Sequence, residues 1–285
     1  MNGRMNGRSV WVVGAMGMLV VGAMVFGGPI TPPGGAIAPT GRTLDEIFNK
    51  VPVVGAADGR IPIAGGTSTV TISQPGSYVL TGNITVSSGS GININASDVT
   101  LDLNGFRVMT TANSGTVIVI NTGTNNVVVR NGLVAGGNTG VACTNNAVGA
   151  LIEDVAISGT KITGISLSGG CRGCIIHRCR VSDTGSTTTA ADASLGITGI
   201  SNGLAIGTRI EDCSVSRLFY NGSGTGTLRG ISMGGSASAV IGCNVYHDGA
   251  LTGTGIAGTG SVYRNNTVTN FGTAYSGGTD GGGNF

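Results

Sequence analysis

The chain has 285 residues, of which 54 are Gly, 10% are charged, 40% are hydrophobic and 4% are aromatic. An average domain carries about 25% charged residues and about 7% Gly, so the composition is unusual, but seven Pro exclude collagen and the apolar fraction excludes a disordered chain. Lys and Arg number 15 against 13 Asp and Glu, and Arg4 and Arg8 at the N-terminus account for the difference. No basic footprint for nucleic acid remains.

Val10 to Phe26 is an apolar run that follows Arg4 and Arg8 and precedes Gly27-Gly28-Pro29. Residues 1–28 read as a secretory signal; a membrane anchor is the rival, since the run lies at the lower limit for spanning a bilayer. Residues 29–42 are a Pro/Gly linker. Thr43-Leu44-Asp45-Glu46 then forms a capping box, and Leu44, Ile47, Phe48 and Val51 share one helical face. Residues 43–51 are therefore expected as a short helix over an apolar end of the main fold. The expectation is an exported protein, secreted or held at the cell envelope, with no stable membrane insertion after cleavage.

From Ser68 onward short alternating runs are broken by Gly, Asn and Ser, which predicts many strands. A Gly followed by a small or β-branched residue recurs at Gly91, Gly115, Gly140, Gly164, Gly199, Gly230 and Gly255. A second column follows at Val108, Val134, Ile157, Val181, Val215, Val245 and Val268, and a third lies five residues before it at Leu103, Val129, Ile152, Ile176, Ile210, Val240 and Tyr263. Repeats of about 24 residues with several short strands each predict a coil whose strands pair in parallel with their copies in the next rung. The expected fold is all-β: one right-handed parallel β-helix of about seven or eight rungs over residues 68–270, inside a domain of residues 43–285. The Gly-rich tail, residues 271–285, is neither a membrane anchor nor an evident cap.

The segments Ile72-Ser-Gln-Pro-Gly-Ser-Tyr-Val-Leu-Thr-Gly-Asn-Ile84 and Gly91-Ile-Asn-Ile-Asn-Ala-Ser-Asp-Val-Thr-Leu-Asp-Leu-Asn-Gly-Phe106 resemble the opening rungs of exported bacterial right-handed β-helix repeat proteins, which share the pectate-lyase-like superfamily architecture. That resemblance implies the fold over residues 43–285. It implies no particular activity, because the architecture hosts enzymes, adhesins and scaffolds.

Three chemical features stand out. Two residues before the Val column come Gly132, Val155, Cys179, Cys213, Cys243 and Asn266, a stack of small buried groups rather than a metal site. Cys171-Arg-Gly-Cys174 lacks a second ligand pair and reads as a local disulfide or two packed thiols, while Cys143 has no evident partner. No metal and no cofactor is expected. Counting back four residues from the Val column gives Glu153, His177 and Glu211, and three residues back Asp154, Arg178 and Asp212. Glu153 and Glu211 would stand two rungs apart, about 9 to 10 Å, near the spacing of an inverting glycosidase, with His177 between them as a proton carrier. The simpler account is a ladder of alternating charge.

Long connections after Val181, Val215 and Val245 share one corner and offer Asp183 as a further catalytic candidate and Arg217, Tyr220, Arg229, His247 and Asp248 as binding groups. A threonine ladder of ice-binding type is not expected, on the reading that the Thr positions do not repeat from rung to rung. The function expected is an extracellular or cell-surface scaffold with weak polysaccharide binding; the alternative is a polysaccharide lyase or glycoside hydrolase at the long-loop corner or along the Glu153, His177, Glu211 ladder.

Overall fold

The structure, a computed structural model, describes residues 59–112, 114–186, 196–220 and 227–285. The expected signal, linker and helix of residues 43–51 lie outside the described residues, as do parts of two long connections. Within them the chain winds into eight complete rungs flanked by partial ones, and every pairing between rungs is parallel. The molecule is a parallel β-helix. Its rungs present three faces, each a stack of short strands.

The first face runs from Ile61–Ile63 through Gly76–Leu80 and Val99–Asp102 to Ser261–Arg264 and Thr279–Asp280. Its inward ladder is Leu101, Val129, Ile152, Ile176, Ile210, Val240 and Tyr263. The second face stacks Ile84, Val108, Val134, Ile157, Val181, Val215, Val245 and Val268. The third stacks Ile92, Ile118, Val141, Ile165, Ile200, Ile231 and Ile256. These side chains merge into one apolar cluster in which most are fully buried.

The Gly and Val columns move together for a steric reason. A Cβ placed on Gly91 would stand 2.5 Å from Val108 Cγ1, and one on Gly140 would stand 2.6 Å from Ile157 Cγ2. Gly164, Gly199, Gly230 and Gly255 meet Val181, Val215, Val245 and Val268 in the same way. The coil is so thin that in six rungs a missing side chain on the third face admits the branched one on the second.

The register corrects two assignments. Leu101, not Leu103, occupies the first-face ladder, because Asn104 and Gly105, both with positive φ, lengthen the turn before Val108. Leu103 instead fills the space that Gly132 leaves. Val117, not Gly115, aligns with Gly91 and Gly140. Threonine also stacks after all: Thr116, Thr139, Thr163 and Thr198 are in register, and Thr254 and Thr273 continue the column beyond Arg229. Thr139, Thr163, Thr198 and Thr254 each stand one residue before a member of the Gly column, so the stack was legible in the sequence and the expectation against it is corrected. Thr163 and Thr198 are only 8% exposed, so these side chains mainly pack.

The glycine-rich tail is wound in as the last strand. Thr279 pairs with Val262, Val268 N–H donates to the Phe285 carbonyl at 2.7 Å, and Phe285 N–H donates to Asn266 O at 2.8 Å. The rungs thus extend past residue 270.

Candidate functional site

All three corners of the coil take left-handed backbone; before the first face the residues are Asp98, Asn126, Gly149, Gly173, Gly207, Ala237 and Gly260, and the other two corners flank the second face. At the turn from the first to the second face, Asn131, Asp154, Arg178, Asp212 and Asn265 all have φ near +50 to +60°. At the turn after the second face, Gly159, Asp183 and Arg217 do the same. Asn, Asp and Gly are the residues that tolerate this region at least cost. Arg178 and Arg217 are the exceptions at the corners that flank the second face, and each is ion-paired to the aspartate one rung earlier. Arg178 grips Asp154 with two bonds, Nε to Oδ1 at 2.8 Å and Nη2 to Oδ2 at 2.6 Å; Arg217 pairs with Asp183. Arg178 also holds the Asp154 carboxyl below the usual carboxylate range.

The predicted acid–base ladder exists in register: Glu153 stands against His177, and His177 against Glu211. Its members are already engaged. Arg178 Nη2 approaches Glu153 to 3.7 Å, Arg209 pairs with Glu211, and His177 Nε2 lies 3.5 Å from Asp212 Oδ2. Arg178 Nη1 lies 3.0 Å from His177 Nδ1 and 3.3 Å from Nε2, so the guanidinium covers the ring. Upstream, the ladder continues as Arg130 and Asp102, and Asp102 is held by Arg60 at 2.8 Å. Acidic and basic residue types therefore alternate over five rungs, which avoids stacking carboxylate on carboxylate.

The corner candidates are partly dispersed. Asp183 and Arg217 form one pair. His247 Nε2–H donates to the Leu218 carbonyl at 2.6 Å, and its ring meets Phe271 edge-on at 6.2 Å. Asp248 bonds Tyr246, which raises the phenol pKa. Tyr220 lies in a small second sheet, Phe219–Tyr220 paired with Gly185–Ser186. Arg229 stands apart on the third face.

Between the two left-handed corners that flank the second face lies a trough that counting along the sequence misses. The corners are five residues apart in each rung, about 16 Å. One rim is Asp154, Arg178 and Asp212; the other is Asp183 and Arg217. The floor is the outward side of the second face, where Ser158, Ser182 and Ser216 stack in register and Ala156, Arg180 and Ser214 stack beside them. Tyr246 follows Ser216 at the downstream end and is 38% exposed. Over Ala156, Arg180 and Ser214 the trough deepens into a depression of about 370 Å³.

Beneath the first rim lies the thiol stack. Cys179, Cys213 and Cys243 point their sulfurs at the carbonyls of Ile152, Ile176 and Ile210 at 3.4 to 3.6 Å. Asn266 then takes the same position and donates Nδ2–H to Val240 O at 3.0 Å. Hydrogen bonding to Cys213, together with burial, holds the Cys179 and Cys243 thiols well above their ordinary pKa. Cys171 and Cys174 are packed, unpaired thiols, and Cys143 lies against Cys174, whose pKa its thiol pushes up to about 11.

No family model matches the chain, and no curated protein matches it in sequence. Solved structures that align with it include two tailspikes. One is the enzymatically active domain of bacteriophage CBA120 tailspike protein 2, 13% identical with a TM-score of 0.49 over 76% of this chain and 38% of that one. The other is the Dettilon tailspike protein, 12% identical with a TM-score of 0.40 over 80% of this chain and 60% of that one. The chain spans less than two thirds of the length of either. The β-helix stands on its own strand register.

Proposed function

We propose that the protein is a non-catalytic scaffold of the cell exterior that holds polysaccharide in the trough on its second face. The observation that carries this reading is the state of the carboxylates around the trough. Glu153, Asp154, Asp183 and Glu211 each have an arginine partner, whereas a general acid needs a carboxyl whose pKa is raised toward neutrality. Asp154 is displaced the other way. What the trough does offer is a row of serine hydroxyls, the cation of Arg180 and the ring of Tyr246, the groups that hydrogen-bond and stack on sugars. Export through residues 1–28 belongs to the same reading and places the trough where such polymers are found.

The test is a panel of acidic and neutral polysaccharides offered to the purified chain, with binding, unsaturated products and reducing ends measured together. We expect binding without product release, and Arg180→Ser should weaken it by about tenfold, the order for losing one charged hydrogen bond. Product release abolished by Glu153→Gln, Glu211→Gln or Asp183→Asn would replace the scaffold with a lyase or hydrolase and identify its site.

A further inference from the structure

The eight rungs are copies of one another, so each position reveals what the fold itself requires. In the column that opens the third face that requirement is a threonine: Thr116, Thr139, Thr163 and Thr198 precede Arg229, and Thr254 and Thr273 follow it. Arg229 is the one departure in that run, and packing does not demand it. Its side chain is exposed, and among the described residues its guanidinium has no hydrogen bond or ion pair.

Beside it lies a groove of about 250 Å³ that arises from small residues. Ser232 and Ser276 occupy the outward column with Ala257 between them, and Gly234 and Gly258 line the groove without side chains, Gly258 in register with the buried Met233. Hydroxyls of Ser232, Thr259 and Ser276 line it with Arg229. Behind Gly258 stands Ser261, 1% exposed, whose hydroxyl has no hydrogen-bond partner. Among the described residues no acidic side chain lines the groove. One unpaired guanidinium, three hydroxyls and no carboxylate make an anion site, since Arg matches the fork of an oxyanion and neutral donors add bonds without opposing charge. The volume lies below the range of about 300 to 1,000 Å³ for sites that enclose drug-sized ligands, so it suits a substituent or a single ring.

We propose that this groove binds a singly attached oxyanion, a sulfate or phosphate ester, with Arg229 as its charged partner. The site is separate from the trough and does not depend on it. Isothermal titration of the full chain with glucose 6-sulfate, glucose 6-phosphate, glucose, inorganic sulfate and inorganic phosphate tests it. Arg229→Thr is the informative variant, because threonine is what the neighbouring rungs carry and the fold accommodates it. Binding of an ester or a free oxyanion should fall about ten- to hundredfold in Arg229→Thr, the range for losing a charged partner. It should persist in Arg107→Ser, an exposed arginine on another face. Esters binding more tightly than the free ions make the ligand a substituted sugar; equal affinities make it the ion itself, and either result supports the site. Binding that is absent, equal in the wild type and Arg229→Thr, matched by plain glucose, or lost equally in Arg107→Ser overturns it.

Discussion

At the scale of single residues, the corners decide what the surface can carry. A left-handed turn costs an L-residue with a Cβ about 1–2 kcal/mol, so a side chain kept there needs a local offset. Arg178 has the Asp154 grip, but both groups are about half exposed, and such surface pairs contribute at most about 1 kcal/mol. Ala237, at φ 53°, has no polar side chain with which to bond its own backbone. Ala237→Gly should therefore stabilise the protein by about 0.5–1 kcal/mol, read as a rise of about 1–4 °C in Tm; an unchanged or lower Tm would show that the methyl group is supported by its surroundings. The stack of Cys179, Cys213, Cys243 and Asn266 makes a related point. An amide and a thiol share a position because each aims a donor at the carbonyl of the rung below.

At the scale of elements, the interdigitation of the third and second faces is the main packing rule. Gly91→Ala should destabilise by about 1–3 kcal/mol, the usual cost of overpacking, and chemical denaturation reads it directly. Combined with Val108→Ala the cost should be smaller than the sum of the single changes by at least about 0.5 kcal/mol. Strict additivity would mean that the two positions do not compete for space.

The same rule explains what was legible in the sequence. Gly and Val recur together because each requires the other, so the coil, its rung count and its three ladders can be read from residue spacing. Leu103 and Gly115 were misassigned because a longer turn and a valine at position 117 break the rule locally. The Glu153, His177, Glu211 register was legible for a similar reason: it is fixed by the inward neighbours Ile152, Ile176 and Ile210. The trough was not. Its rims are set by backbone conformation at two corners, and its serine and arginine floor points outward, where packing imposes no pattern. Cys143 lacked a sequence partner because Cys174 reaches it across rungs.

At the scale of the whole molecule, the ends matter most, since a solenoid is held by neighbour-to-neighbour contacts. The final strand Thr279–Asp280 and the Phe285 backbone bonds cover the rung that carries Tyr263 and Val268. Ending the chain after Gly278 should lower Tm and speed hydrogen exchange at Tyr263 to Val268, while amides near Ile118 keep their protection. Equal exchange in both chains would show that the tail seals nothing.

Because the Gly–Val interlock closes inside one repeat of about 24 residues, a whole repeat can be duplicated or lost without disturbing the contacts of the others. Each such event changes the length of the molecule by about 4.8 Å and lengthens or shortens the trough by one serine step. If the trough holds polysaccharide as proposed, the number of sugar units it spans is set by counting repeats, as graduations are counted on a measuring rod, and not by redesigning a pocket.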